Sequence, residues 1–198
     1  MPRGDKQRSG YHHGDLRRVL IEEAIALLNE RGVEGFSVRE VARRAQVAPA
    51  APSHHFGNAT GLLTAVAEEG FRKLVARSRA IHKKACSPVE RVVLIGEAYV
   101  RFARRNPGIF SILFRSEALD NTQESFCDVR TESLLLLRQA VREAVSKDAP
   151  DDRVDWLTNA LWAMVHGMAT LQVDQGATLR ERVGLATRAM LAGSDVIA

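Results

Sequence analysis

The sequence predicts an all-α protein: an N-terminal three-helix module, a connector helix and a C-terminal helical bundle, about nine helices in all. Three observations carry this expectation. Apolar residues recur three or four apart through most of the 198 residues, and no run alternates strictly enough for a half-buried strand. Helix start and stop signals fall at the ends of the periodic segments. One stretch, "VAPAAPSHHFGN" from Val47 to Asn58, separates two good helices with two prolines three residues apart.

The first helix is expected from Asp15 to Arg31, with Leu16, Val19, Leu20, Ala24, Leu27 and Leu28 on its apolar side and Gly32 as its stop. "SVRE" opens the second. Ser37 is placed to accept from the N3 amide while Glu40 reaches back, a reciprocal capping box. That short helix turns Val38, Val41, Ala42 and Ala45 inward and Arg39, Arg43 and Arg44 outward. From Asn58 a longer helix runs to about Lys84, apolar at Leu62, Leu63, Val66, Phe71, Leu74 and Val75. Ser87 can cap a helix with Pro88 at its first position, running to about Arg105. "NPGIF" breaks it, a short apolar piece spans Ile109 to Phe114, and "SEALDNTQES" reads as a flexible loop. A helix through "LLLLRQAVREAV" ends near Lys147, and "DAPDD" punctuates. The most apolar helix follows from Val154 to about Asp174, stopped by Gly176, and the last spans roughly Thr178 to Leu191. The expected division is residues 1–57 and 58–198, with 58–84 as the connector.

Composition is that of an ordinary globular protein, 45% hydrophobic and 26% charged, which argues against disorder. Charges break every apolar stretch before the roughly 18 residues a membrane span needs. The N-terminus, "MPRGDKQRSG", lacks the apolar centre of a signal peptide, so a cytoplasmic protein without membrane contact is expected. Cys86 and Cys127 form no disulfide framework; two small buried residues is one reading and a redox-sensing pair the other. Charge is distributed unevenly. Residues 1–84 hold 15 Lys+Arg against 9 Asp+Glu, and residues 85–198 hold 13 against 15. Five of the 6 histidines also lie in the first part. A basic N-terminal third on a nearly neutral remainder suits a polyanionic partner, or is simply a solvated basic surface.

Taken as one unit, Ser37 to Phe56 has the spacing of a helix-turn-helix, whose second helix enters the major groove of DNA. The prolines fit if the second helix starts at Ala48 or Pro49, because amides in a first turn have no partner within the helix. Pro52 would then sit at about the fourth position. The displayed side chains, Ala48, Pro49, Ala50, Ser53 and His54, are short enough to let the helix approach base edges. No Arg or Asn is present there for a two-pronged contact with guanine or adenine, so readout by this helix should be modest. Neither His54–His55 nor His12–His13 suits a metal, since adjacent helical side chains point about 100° apart and no ligand lies at the right spacing. No metal, cofactor or catalytic residue is expected, and the segment offers no phosphate loop or nucleophile elbow.

The run "YHHGDLRRVLIEEAIALLNERGVEGFSVREVARRAQVAPAAPSHHFGNATGLLTAVAEEGFRKL", Tyr11 to Leu74, resembles the TetR-type (TetR/AcrR) bacterial repressors. The Gly32 stop, "SVREVARRA", "HF" and "GLLTAV" agree in order with that family. Farther on, "AYVRFARRNPGIFSILF" and "LWAMVHGMATL" look like the C-terminal domain of the subgroup named for its Trp-His-Gly signature, here Trp162, His166 and Gly167. The resemblance implies a homodimer whose first three helices bind a palindromic operator in double-stranded DNA. It also implies that the last two helices pair with their twofold mates, and that a small apolar effector inside the C-terminal domain releases the DNA. The family's tyrosine two residues before "HF" is Ser53 here, and its lysine near the next helix is replaced within "GNATG". That share of phosphate affinity is then either reduced or moved to Ser37, Arg43, Arg44 and Thr60 and to Arg3, Lys6 and Arg8 on the arm, with His55 closing the helix. Gln46 stands where glycine is usual, which costs about 1 kcal/mol if its φ is positive. Ala48 replaces the usual hydroxyl cap, a loss of about 1 kcal/mol.

In the second part, Phe102, Phe110, Phe114, Trp156, Trp162, Met164 and Met168 supply bulky apolar surface, with Tyr99 and His166 as polar handles. The expected effector site comprises Tyr99, Phe102, Phe110, Phe114, Trp162, His166 and Met168; the other reading makes these residues core. Trp162 and His166 are four apart on one helix face. On the last helix Leu179, Val183, Ala186 and Met190 form the stripe expected at a dimer interface, with Leu185 and Ala189 on a second stripe. Two other functions stay open at this point: a helical-bundle enzyme acting on an apolar substrate, and a sequence-blind architectural DNA-binding protein.

Overall fold

The computed structural model describes residues 13–171 and 178–193, which form nine α-helices and one short 3-10 turn. The helices are α1 (His13–Arg31), α2 (Val38–Arg44), α3 (Ala51–Phe56), α4 (Ala59–His82) and α5 (Pro88–Arg105). They continue as α6 (Pro107–Phe110), α7 (Glu124–Ala144), α8 (Asp151–Thr170) and α9 (Leu179–Gly193). The arm residues Arg3, Lys6 and Arg8, the start of the "YHHGD" run, and Gly176 lie outside the described residues.

Local chemistry explains most of the boundaries. Gly32 stops α1 with φ 67°, and its amide donates to the carbonyl of Leu28. Asn58 caps α4 by accepting from the Gly61 amide at 2.9 Å, and Ser87 caps α5, with Pro88 in its first turn. The expected capping box at Ser37 is absent: Ser37 makes no side-chain cap bond, and Glu40 accepts from Arg43 and Arg44. Charge-assisted bonds to two guanidiniums outcompete one backbone amide. A reciprocal box forms instead at Thr178–Glu181. There Glu181 accepts from the Thr178 amide at 2.8 Å, while the Glu181 amide donates to the Thr178 hydroxyl at 3.3 Å.

Three further boundaries differ from expectation. "SEALDNTQES" is held in place: Leu119 is 6% exposed, the Asp120 amide donates to the Thr64 hydroxyl at 2.8 Å, and Asp120 accepts from Thr122. Its anchor lies 56 residues away in sequence, on α4. "DAPDD" supplies the first turn of α8, where Asp151 and Asp152 complement the helix dipole and Pro150 precedes the helix. α7 ends at Ala144, three residues earlier than expected, because Val145 is extended.

The core does not break between the two expected domains. Leu20 and Leu27 of α1, Val41 of α2, and Leu62 and Val66 of α4 are fully buried. They share one apolar cluster with Phe71, Phe102, Ile109, Ile112 and Phe126. α4 and α6 therefore join the N-terminal helices to the bundle through packed side chains. At that seam Asn29 Oδ1 accepts from the Gly108 amide at 2.7 Å, and Arg115 pairs with Glu34 at 3.2 Å.

Candidate nucleic-acid interface and effector cavity

α2 and α3 are set at an angle by a turn that Gln46 closes with φ 56°. That left-handed conformation strains a non-glycine residue by about 1 kcal/mol. Gln46→Gly should accordingly raise stability by up to about 1 kcal/mol, the relief being partly offset by a freer unfolded chain. Urea unfolding of the two proteins measures the difference.

The short helix begins later than the sequence suggested. α3 runs from Ala51 to Phe56, so Ala48, Pro49 and Ala50 form the preceding turn, closed by the Ala51 amide on the Ala48 carbonyl at 2.9 Å. Pro52 is the second helical residue, not the fourth, and it is buried, so its missing N–H leaves no gap in the helix. The residue at the cap is Ala50, which offers no side-chain acceptor. At the other end, α4 crosses so near α3 that a Cβ on Gly61 would lie 1.9 Å from the Phe56 carbonyl oxygen. Ser37, Ala48, Pro49, Ala50, Ser53 and His54 are exposed, while His55 and Thr60 are half-buried. Arg17 covers the Phe56 ring at 5.2 Å and fixes that end of the helix.

The arginines of α2 are organised by carboxylates that the sequence pattern did not connect to them. Arg44 donates to both oxygens of Glu30 at 2.8 and 2.6 Å, and to Glu40 at 3.2 Å. Its side chain is 16% exposed, so it ties α2 to α1 and is not displayed toward a phosphate as expected. Arg43, by contrast, is 72% exposed and bonds both oxygens of Glu40 at 2.8 Å. The bonds from Arg43 and then Arg44 hold the Glu40 carboxyl at about 2, below its usual 4.5. A carboxylate depressed on folding contributes stability that is complete above its unfolded value and is lost as pH falls through the folded one. This contribution should therefore disappear between about pH 4.5 and 2. Denaturation midpoints measured across that window should fall less steeply for Glu40→Gln than for the parent.

The second site is a cavity of about 320 Å³ between α4, α5, α7 and α8. Tyr99, Phe114 and Trp162 line it as expected, together with Phe71, Leu74 and Leu161, which the sequence did not single out as cavity walls. Arg77, Arg130, Asn159 and Thr187 add polar groups. His166 stands behind this wall: its Nδ1 is 2.9 Å from the Tyr99 hydroxyl, and its ring meets Phe114 edge-on at 4.9 Å. Phe110 of α6 packs against Tyr99 and His166 at 5.8 and 5.6 Å. Burial pushes the Tyr99 hydroxyl up, opposed by a bond from the Trp162 indole. Burial also holds His166 below its usual 6.5, leaving it neutral at pH 7. The Tyr99 hydroxyl thus joins the Trp162 indole, from which it accepts, to His166 Nδ1 in one hydrogen-bonded chain.

Met168 is a correction, since it does not line the cavity; Phe102 does not line it either and borders instead the neighbouring concavity of α4 and α5. Phe102 is 9% exposed in the α4–α6 core, three residues past Tyr99 and so turned about 60° away from it. Met168, two residues past His166, packs with α5 and α9. The expected dimer stripe is corrected too. Val183 is fully buried within the chain, Leu179 and Met190 pack on its own clusters, and Ala186 is half-buried. Bare backbone at Gly96 admits Val183: a Cβ there would lie 3.0 Å from Val183 Cγ1. The exposed stripe is the other one, led by Leu185 at 73% exposure.

A short recognition-type helix, its buried supporting neighbours and a separate apolar cavity together define a helix-turn-helix protein with an internal cavity in its C-terminal bundle. Comparison with known proteins agrees with that class. Residues 20–66 match the family model described as bacterial regulatory proteins, tetR family, and residues 92–193 match the tetracyclin repressor-like C-terminal domain. A solved protein from Rhodococcus sp. RHA1, itself of unknown function, is 31% identical, with 94% of this chain and 98% of that one covered at a TM-score of 0.78. The chain belongs to the TetR family. The TetR family regulator PfmR from Thermus thermophilus shares the fold at 23% identity, covering 87% of this chain and 97% of its own, TM-score 0.68. The HTH-type transcriptional regulator BetI of Brucella canis is 35% identical over 79 residues, 40% of this chain and 40% of its own length. The chain thus spans about 40% of the length of that curated relative.

Proposed function

We infer that the protein is a homodimeric, sequence-specific transcriptional repressor that a small effector releases from a palindromic operator. Residues 1–57 form the reading head and 58–198 the sensing and dimerising part, with 58–84 as the connector. The observation that carries the reading is the displayed edge of the head: an exposed run of short side chains, Ala48, Pro49 and Ala50, followed by exposed Ser53 and His54 on α3. Such a surface lets a helix approach base edges, with alanine and proline against thymine methyl groups. Ser37, Arg43, His55 and Thr60 flank it as phosphate contacts, with Arg43 exchanging Glu40 for phosphate.

The cavity wall of Tyr99, Phe114 and Trp162 serves as the effector site, and we read no catalytic role in it. The Trp162, His166 and Gly167 motif supports reading the sensing part as one of the Trp-His-Gly subgroup. Occupancy acts through α6, which meets the cavity wall at Phe110 and the head at the Asn29–Gly108 hydrogen bond. An effector that prefers one setting of α6 shifts the population toward heads that no longer match successive major grooves. Dimerisation uses the outer face of α8 and α9, where Leu185, Trp156 and Ala163 are exposed and a Cβ on Gly167 would meet nothing.

Selection of bound duplexes from a random pool tests this reading. An enriched palindrome is expected. Binding without enrichment would favour the architectural alternative, and no binding at any salt would favour an enzyme using the cavity.

A further inference from the structure

Beside the apolar cavity lies a second concavity of about 590 Å³, formed by α4 and α5 with Arg180 of α9. Its walls carry six cations, Lys73, Arg77, Lys84, Arg101, Arg105 and Arg180, against one lining carboxylate, Glu97. Three of the six are already engaged: Arg101 with Glu97 at 2.6 Å, Lys73 with Glu69 at 3.6 Å, and Arg180 with Glu90. Arg77, Lys84 and Arg105 have no carboxylate partner among the described residues. A concave wall with that surplus concentrates positive potential and attracts anions. The two concavities share Leu74, Arg77 and Ala98. Arg77 therefore borders both spaces, and an occupant of the apolar cavity that extends past the small Ala98 side chain enters the positive field.

We propose that the effector is a single-chain amphiphile with an anionic head. Its chain lies against Phe114 and Trp162, and its head sits in the cationic groove, met first by Arg77 and then by Arg105 and Lys84. This rests on the reading of the apolar cavity as the effector site and adds the ligand's chemistry. Size and charge agree with it. The apolar space is at the small end of the roughly 300–1,000 Å³ typical of ligand sites and is large enough for one alkyl chain. A cationic or neutral head would leave three guanidinium or ammonium groups unneutralised, whereas a phosphate or carboxylate head gains charge-assisted bonds from them.

The test uses the two tryptophans of the chain. Trp156→Phe leaves Trp162 as the sole reporter; Trp156 is 60% exposed in the single chain, and phenylalanine keeps an aromatic ring on the α8 face proposed for dimerisation. This variant is titrated at neutral pH, without DNA, with decyl phosphate, decanoate, decanol and decyltrimethylammonium, each below its micelle-forming concentration. Saturable changes in Trp162 emission are expected for both anions, about tenfold or more tighter than for decanol, with the ammonium compound weakest. Arg77→Gln should bring the anions to the alcohol's affinity and leave decanol unchanged. Because Arg77 also borders the apolar cavity, Arg105→Gln provides a second check and should weaken both anions while sparing decanol. Equal affinity for anion and alcohol, no loss in either variant, or no saturable response to any of the four compounds would overturn the proposal. Any of these leaves the DNA-binding reading standing, since no DNA is present. Conversely, tight anion binding by a protein that enriches no palindrome upholds the ligand chemistry of the two concavities and overturns the repressor.

Discussion

Leu185→Asp yields a folded monomer that binds the enriched palindrome at least about 100-fold more weakly than the parent. Leu185 is 73% exposed on the outer stripe of α9, so within a single chain the change costs no more than about 0.5 kcal/mol. In a dimer closed by α8 and α9 the same side chain is covered by its twofold mate, and a carboxylate there is desolvated without a partner. Loss of the second head removes the avidity that linked half-sites supply, typically about 10²–10⁴. Val183→Asp is the control. Val183 is fully buried within its own chain, so a charge there destabilises the monomer itself, by about 3–5 kcal/mol. Light scattering, thermal melts and a DNA titration separate the two outcomes. A Leu185→Asp protein that remains dimeric would place the interface elsewhere.

Gly108→Ala should uncouple the two halves. A Cβ at this position would lie 2.6 Å from Asn29 Oδ1 and 2.7 Å from the Asn29 backbone nitrogen, so α6 must move off α1. Overpacking of this kind costs about 1–3 kcal/mol. The hydrogen bond from the Gly108 amide to Asn29 is lost with it. The expected result is a protein that still binds ligand at Trp162 but binds the palindrome about tenfold or more weakly, with little further change on adding ligand. Asn29→Ala, which removes the acceptor without adding bulk, should show a smaller loss in the same direction. Unchanged DNA affinity and an unchanged ligand response in Gly108→Ala would show that α6 does not carry the signal.

Much of the fold was legible from periodicity and punctuation. The Gly32 stop and the Ser87–Pro88 start are local properties of the chain, and both are present; the positive φ at Gln46, raised only as a condition by the resemblance, is present as well. What was not legible depends on partners distant in sequence or on competition between near ones. Glu40 had the Ser37 amide within reach, yet two arginines on its own helix took its carboxylate. Arg44 looked solvent-facing by pattern, but Glu30 lies 14 residues earlier on α1 and holds it. The last helix is apolar on two sides, and sequence alone does not tell which side meets α5. Bare backbone at Gly96 decides it in favour of Val183. In the cavity, Tyr99, Phe114 and Trp162 were readable as bulky side chains near a signature, whereas Phe102 and Met168 were bulky for packing. Nothing in the local sequence distinguishes those two cases.

The central claim is that α2 and α3 read DNA while the cavity acts on them through α6. Amide exchange of the full chain, with and without the enriched duplex, tests it most directly. The account predicts protection concentrated in 37–60, with a second protected segment at 106–111 where α6 meets α1. Protection confined to the C-terminal helices, or none in α3 with the duplex bound, would contradict it.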